Sequence, residues 1–564
     1  MIVNTEKLFI ENLEIYTSTV KSKSNSGKGK NKKIELYGIQ KLRELILQLA
    51  MQGKLLQQDK NDESANKLLE KINYERQSLI KSKKIKNHKC SITNDSWSSI
   101  KLPSSWELTT LGIIADWGSG STPKRENPNY YGGGNTWLKS GELNDCQDLK
   151  GSSERITEEA INAGSFRENN IGDVLVAMYG ATIGKTAILA EKAYTNQAVC
   201  GCTPFNGIFN RYLFFYLLSQ RKNFNAASEG GAQPNISRVK LLGFPFPLPP
   251  IAEQHRIVAK VNELMELCDQ LEQVQLKNIE THNMLVTSLL KPLISATADP
   301  TQIKEAWINI QKNFNNLFIS ESSINRLKKV ILQLAVMGKL VKQNIEDKKN
   351  FSPILDKEFI PSSEIIVPFK VPYKWDWKQL KELANVNGGF AFSSGNFVKD
   401  GTRVIRISDF DEGGFKKNKI VRHEISDELE KYKLKEGDIL LAMTGGTVGK
   451  SLHVESIDEP MLVNQRVATI RAGRSITSEY LNIVIKSELT QDVIFKSKNS
   501  TNDNISMKDI NSFLVPLPPI AEQHRIVSKV NQLLLICDQI QSLLVKAQST
   551  QINFANTLVG GNIS

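Results

Sequence analysis

The chain contains the stretch PLPPIAEQHRIV at Pro247–Val258, and the same twelve letters return at Pro516–Val527. Chance does not produce a twelve-residue identity, here at an offset of 269, so the chain carries an internal duplication. Outward from these copies the same anchors recur in the same order. ILQLAMQGKL at Ile46–Leu55 returns as ILQLAVMGKL at Ile331–Leu340, and WELTTLG at Trp106–Gly112 aligns with WDWKQLK at Trp375–Lys381. IGDVLVAMYGATIGKT at Ile171–Thr186 aligns with EGDILLAMTGGTVGKS at Glu436–Ser451. Asn196-Gln197 matches Asn464-Gln465, and PNIS at Pro234–Ser237 matches DNIS at Asp503–Ser506. The offset falls from 285 at the first anchor to 269 at the second, so the second half lacks 16 residues, part of the charged helical pattern at 63–80. So long a period marks a duplicated domain rather than a solenoid.

Each half reads as a helical lead, a mixed region of some 150 residues and a long helix. Pro249-Pro250 and Pro518-Pro519 open the long helices, because a first turn needs no backbone donor, and Glu253 and Glu522 suit the positive end. Ile257, Val261, Leu264, Cys268 and Leu271 then recur at steps of four and three, as do Ile526, Val530, Leu533, Cys537 and Ile540. This is a heptad seam, or equally the stripe of a core-facing helix in an ordinary bundle; matching seams in a duplicated chain favour an antiparallel pair. Gly53 and Gly338 read as left-handed helix stops. The fold class expected is α+β: two homologous mixed α/β domains separated by long helices forming an antiparallel coiled coil, with pseudo-twofold symmetry. The expected boundaries are a helical lead at 1–97 with a disordered Lys/Ser/Gly tether near 20–33, a first mixed domain at 98–250, a central helical region at 251–343, a linker at 344–368, a second mixed domain at 369–519 and a C-terminal helix at 520–564.

A chain of 564 residues has room for about three to five domains. With 40% hydrophobic and 23% charged residues it is neither disordered nor fibrous. No run of 18 apolar residues occurs, and MIVNTEKLFIENLEIY has acids where a signal peptide needs a basic and then an apolar run; a cytoplasmic protein with no membrane partner is expected. Six cysteines are too few for a disulfide framework. The net charge of +12 points toward nucleic acid, but its distribution weakens that inference: residues 1–100 hold 19 Lys/Arg against 11 Asp/Glu, while 101–250 hold 14 against 13.

Several motifs resemble catalytic ones and fail on spacing. Gly180-x-x-x-Gly184-Lys185-Thr186 and Gly445-x-x-x-Gly449-Lys450-Ser451 have three residues between the glycines where a nucleotide-cradling loop needs four. Trp117–Gly120 and Asn127–Tyr130 faintly suggest methyltransferase loops, but they stand too close together and are absent from the second half, so they read as turns. His255 and His524 lack companions at metal-ligand spacing and read as helix-to-helix polar packing; Cys268 and Cys537 read as small apolar seam residues. No nucleophile–base constellation, and hence no catalytic residue, metal site or bound cofactor, is expected. Three function classes remain: a DNA-reading scaffold, an enzyme built on the near-miss motifs, and a protein-only scaffold using the helices.

At its anchors the chain resembles the specificity subunit of type I restriction-modification systems. The resemblance rests on PLPPIAEQHRIV in both copies, LQLAMQGKL and LQLAVMGKL, QQDKNDESANKLLEKI at Gln57–Ile72, Trp106 and Trp375, and the GDVLVAMYGATIGK and GDILLAMTGGTVGK pair. It implies two target-recognition domains that read a split, asymmetric sequence in double-stranded DNA. It also implies two methyltransferase subunits and restriction (motor-nuclease) subunits as partners, on which S-adenosylmethionine, ATP and Mg2+ act. Candidate DNA contacts in the first domain are Ser119, Ser121, Thr122, Lys124, Arg125, Lys139, Ser140, Tyr179, Thr182, Lys185, Asn196, Gln197, Gln233 and Asn235. In the second they are Arg403, Arg406, Ser408, Thr444, Thr447, Lys450, Asn464, Gln465, Arg466 and Asn504. Asn, Gln and Arg suit base edges and Lys suits phosphate, although the Asn-Gln pairs equally suit buried backbone groups. Half-sites about one helical turn apart, roughly 10 base pairs, are expected for two such modules.

Overall fold

The computed structural model describes residues 9–23, 33–88, 101–229, 234–348, 367–497 and 504–560. Most of the expected tether, candidate Gln233 and most of the expected linker lie outside them. The two described ends of the tether are strand rather than free coil: Lys21–Lys23 pairs antiparallel with Lys33–Glu35. The chain divides into two compact units, one holding Asn31–Leu276 with the N-terminal residues and those from Gln548 onward, the other holding Lys277–Ala547.

In the first unit, α1 (Tyr37–Met51) buries Ile39, Leu42, Leu45, Ile46 and Leu49, a three-and-four spacing that gives it one apolar face. It stops at Gly53, whose φ is +67° and where a Cβ would stand 2.4 Å from Pro103 Cγ; Gly338 repeats both the angle and the 2.4 Å approach, to Pro372. Only glycine meets both demands, which is why the helix ends are written alike. Helix α2 (Ala65–Lys81) follows and buries Ala65, Leu68 and Ile72.

The mixed domain follows as β1 (Glu107–Thr110), β2 (Ala115–Ser119), β3 (Tyr131–Leu138), β4 (Cys146–Leu149), β5 (Glu154–Ile156), β6 (Val174–Ala177), β7 (Thr186–Leu189), β8 (Tyr194–Thr195), β9 (Val199–Pro204), α3 (Asn210–Ser219) and β10 (Pro245–Leu248). One sheet runs β2-β9-β6-β7-β4, a second runs β8-β3-β5, and β1 pairs with β10. Strand β6 is buried along its whole length, so its VLVA reads as a continuous apolar run rather than an alternation. The long helix α4 (Ile251–Ile294) then passes from the first unit into the second.

The second unit repeats the plan. After α5 (Glu321–Val336) come β11 (Asp376–Gln379), β12 (Ala384–Gly388), β13 (Thr402–Ile405), β14 (Val421–His423), β15 (Ile439–Ala442), β16 (Ser451–His453), β17 (Met461–Val463), β18 (Val467–Ala472), α6 (Ser478–Lys486) and β19 (Leu514–Leu517). The sheets run β12-β18-β15-β16 and β14-β13-β17, and β11 pairs with β19. The pairing order matches the first domain, apart from β4 in the first and a hairpin of Phe410–Asp411 with Gly414–Phe415 in the second. The last helix, α7 (Ile520–Gly560), begins in this unit and ends in the first.

The seam residues Ile257, Val261, Cys268, Ile526, Val530 and Cys537 are buried; Leu264, Leu271, Leu533 and Ile540 are half-buried. Ile257, Val261 and Cys268 belong to the first unit and Ile526, Val530 and Cys537 to the second. In the second unit Ile526, Val530 and Cys537 share a core with Val286, Leu290 and Leu293 from the end of α4 and with Ile324, Ile331 and Ala335 of α5. Lys328 of α5 reaches Asp538 at 2.6 Å, and Arg326 donates to the Asn283 carbonyl at 3.2 Å. The first unit repeats this: Arg43 of α1 holds Asp269 at 2.5 Å and Glu272 at 2.9 Å, while Tyr37 donates to Asn556 near the end of α7 at 2.8 Å. Heptad spacing specifies an apolar stripe but not its partner. Here the partner is the start of one long helix, the end of the other and a short repeated helix.

Candidate nucleic-acid interface

The duplicated EQHR tetrad joins each mixed domain to its long helix. Glu253 accepts the Trp106 indole Nε1–H at 2.9 Å, and Glu522 accepts that of Trp375 at 3.0 Å. Both carboxylates are buried, and burial raises their pKa against the opposing indole hydrogen bonds. Gln254 accepts the Phe209 amide and donates to the carbonyls of Gly207 and Pro249; Gln523 does the same with Thr477, Ser475 and Pro518. Arg256 grips Asp62 and Arg525 grips Asp347, each through two nitrogens. The His255 ring stacks on Phe209 at 4.0 Å, a loop contact rather than the helix-to-helix packing expected. The identity of the two copies is thus largely explained by structure: in each, the Glu, Gln and Arg side chains make the same contacts with equivalent partners.

With the domain so fixed, backbone hydrogen bonds stitch most of the candidate residues into one edge. Ser121 N–H reaches Thr195 O at 2.8 Å, Asn196 N–H reaches Leu138 O at 3.0 Å, and Met178 N–H reaches Ala198 O at 2.8 Å. Gly180 N–H reaches Pro234 O at 2.7 Å, and Tyr179 bridges Asn235. The loops bearing residues 119–125, 139–140, 179–182, 196–197 and 235 are therefore contiguous. The second domain repeats the stitching: Phe390 to Val463, Asn464 to Ile405, Met443 to Arg466, and Thr444 bridging Asn504. At Gly120 and Gly389 an added Cβ would lie 2.0 and 2.2 Å from the carbonyls of Thr195 and Val463, so each loop is pressed against the strand beside it.

The side chains on these edges differ. In the first domain Arg125 lies 4.7 Å from the Tyr131 ring centroid and 2.9 Å from Glu154, which also holds Lys139 at 2.5 Å. The two cations keep Glu154 below the usual carboxylate range. Thr122, Lys124, Tyr179, Gln197 and Asn235 are exposed, while Ser119, Ser140 and Lys185 are half-buried. In the second domain Gln465, Arg466, Ser408 and Asn504 are exposed, and the Lys450 ammonium lies 5.4 Å from the Phe410 ring, where desolvation and then Lys416 lower its pKa.

Three sets of candidates are structural instead. Arg403 is buried, donates to Lys416 O at 2.6 Å and faces Phe415, so it braces β13 rather than facing DNA. Arg406 spends its guanidinium on Asp409, at 2.8 and 3.0 Å, and on Lys419 O. Asn196 and Asn464 each accept the amide two residues on, at 3.2 and 3.3 Å, which leaves the neighbouring Gln197 and Gln465 as the outward members. Thr182 and Thr447 likewise close their own turns, on Tyr179 O and Thr444 O. Phe390 and Phe392, whose rings lie 5.0 Å apart, pack onto the small core of Val404, Leu429 and Leu462 beside the second edge.

The Gly-Lys turns offer no phosphate nest. Ile183, Gly184 and Lys185 spend their amides on Gly180, Ala177 and Thr182, and Val448, Gly449 and Lys450 repeat this. Cys268 is pushed up to about 11 by burial, consistent with packing rather than thiolate chemistry. Among the described residues no His/Cys/Asp/Glu group is disposed to hold a metal, and no helix is long and apolar enough to cross a membrane.

A family model, the type I restriction modification DNA specificity domain, matches residues 103–281 and 372–546, once for each copy. The chain belongs to this specificity family. Across the full length of both chains it is 30% identical to the type I restriction enzyme EcoAI specificity subunit of Escherichia coli. It is 29% identical to the EcoEI specificity subunit of the same species, covering 98% of each. The HsdS subunit from Thermoanaerobacter tengcongensis matches 82% of this chain and 97% of its own with a TM-score of 0.40 and 17% identity. Both stitched edges lie within the matched segments.

Proposed function

We propose that this chain reads a split, asymmetric DNA sequence, one half-site per recognition domain, and scaffolds the other subunits of a type I restriction-modification complex. The observation that carries the reading is the pair of edges: one backbone scheme, two sets of side chains. Equivalent scaffolds dock alike on a duplex, and unlike side chains select unlike bases. Two methyltransferase subunits and the restriction subunits are the partners, supplying S-adenosylmethionine, ATP and Mg2+ chemistry in the cytoplasm, while this chain is non-catalytic by itself. Its recognition domains are nearly neutral, so the isolated chain binds DNA weakly and with strong salt dependence. Selection from a random duplex pool, with and without the cognate methyltransferase subunit, tests the reading. Enrichment of two short motifs at fixed separation supports it; one unsplit motif, or S-adenosylmethionine binding by the chain alone, overturns it.

A further inference from the structure

Lys81, Lys83, Lys84 and Lys86 fall within six positions at the C-terminal end of α2, and all four are exposed. None has a carboxylate partner among the described residues, whereas Lys71 earlier in the helix is paired with Glu63 at 2.8 Å. Like charges so close repel one another, and the arrangement is relieved when an anion lies against it.

The patch is held in place rather than free. Arg76 Nη2 donates to Asn87 Oδ1 at 3.2 Å and to His88 O at 3.1 Å, tying the loop back onto α2. Lys83 and Lys84 amides wrap the helix end onto Ile80 and Leu79, each at 3.0 Å, with Lys83 in the left-handed region at φ +56°. Helix α2 is in turn fixed to the first recognition domain. Glu75 accepts both the backbone amide and the side-chain amide of Asn206, at 3.0 and 3.2 Å, and the Ala65 amide reaches Ser105 O at 3.0 Å. At the far end of the loop, His88 lies within electrostatic reach of Arg238 and Asp116, and desolvation followed by Arg238 lowers its pKa. Arg238 stands three residues past Asn235, and Asp116 lies on β2, which runs out to Ser119. The basic loop is therefore fixed to the first domain, which has almost no net charge of its own.

We propose that Lys81, Lys83, Lys84 and Lys86 form a phosphate clamp for the duplex flanking the half-site read by the first domain. The inference rests on the DNA-reading function. Lysine supplies a point charge to phosphate and carries no sequence information, so the clamp adds affinity and register without altering the bases read. Its signature is in the salt dependence, where each neutralised phosphate contributes about 0.9 to the slope of log affinity against log salt.

The test compares the full chain with its Lys81, Lys83, Lys84 and Lys86→Gln variant for binding to fluorescent random-sequence duplex across a salt series. The expected result is a slope shallower by about three to four, restored by the four Lys→Arg substitutions. Lys277, Lys291, Lys304 and Lys312→Gln, which removes the same charge from exposed helical positions in the second unit, should leave the slope unchanged. An unchanged slope in the loop variant, or an equal loss in the control, overturns the clamp while leaving the DNA reading standing. A wild-type chain that binds no duplex at any salt overturns the DNA reading itself.

Discussion

Glu253 and Glu522 show what single residues contribute to the duplicated motif. Each is a buried carboxylate whose pKa burial raises, and Glu253 Oε1 has no hydrogen-bond partner. A raised folded-state pKa means that the folded state holds its proton longer than the unfolded chain does. Its contribution to stability therefore falls as pH rises from the ordinary glutamate value through the raised one. Glu253→Gln keeps an acceptor for the Trp106 indole and removes that pH dependence. Urea titrations at several pH values should show the variant at least as stable as the wild type near neutrality and less pH-sensitive in the acid range. Glu253→Ala, which leaves the Trp106 indole N–H only its 3.2 Å bond to Gln58 Oε1, should cost about 0.5–1.5 kcal/mol. The arginines separate in the same way. Arg125→Ala should relax base choice in the first half-site by about 1–3 kcal/mol, read by competition binding with point-substituted duplexes. Arg403→Ala should lower the stability of the second domain, through its contacts to Lys416 O and Phe415, before it changes any base preference. Sequence alone could not make that distinction: both are arginines near turns, and only the fold buries one of them.

At the level of elements, the duplication was legible because the structural requirements are duplicated. Gly53 and Gly338, Trp106 and Trp375, and Arg256 and Arg525 each occupy equivalent sites with equivalent partners. Gly338→Ala combines a left-handed φ with a 2.4 Å approach to Pro372, so it should cost about 2 kcal/mol or more in denaturant melts. The long helices were also legible: both begin directly after the proline pairs, and they run 44 and 41 residues. Their partners were only partly so. In the second unit Ile526, Val530 and Cys537 pack with Val286, Leu290 and Leu293 of the other long helix, as the heptads suggested, but the short helix α5 that completes this core is not indicated by them. Periodicity encodes which face is apolar, while the neighbour is settled by chain connectivity that a single sequence does not display.

For the whole molecule, the proposed reading makes the long helices the spacer between half-sites. Helix α4 changes unit between Leu276 and Lys277, and α7 between Ala547 and Gln548. One heptad inserted at both points adds about 10 Å of helix without touching either core. In methylation maps the unspecified spacer should then grow by about three base pairs at 3.4 Å per step, with both half-sites unchanged. The +12 charge, whose excess lies in the first hundred residues, finds one place in this picture in the lysines after α2.

The central claim is that each edge reads its own half-site. Whole-genome methylation mapping tests it in a host carrying this chain and its cognate methyltransferase subunit, before and after residues 98–250 are replaced by the matching domain of a relative. The expected result is a split, asymmetric motif in which the exchange alters one half and leaves the other half and the spacer intact. An unsplit motif, or a change in both halves, would contradict the account.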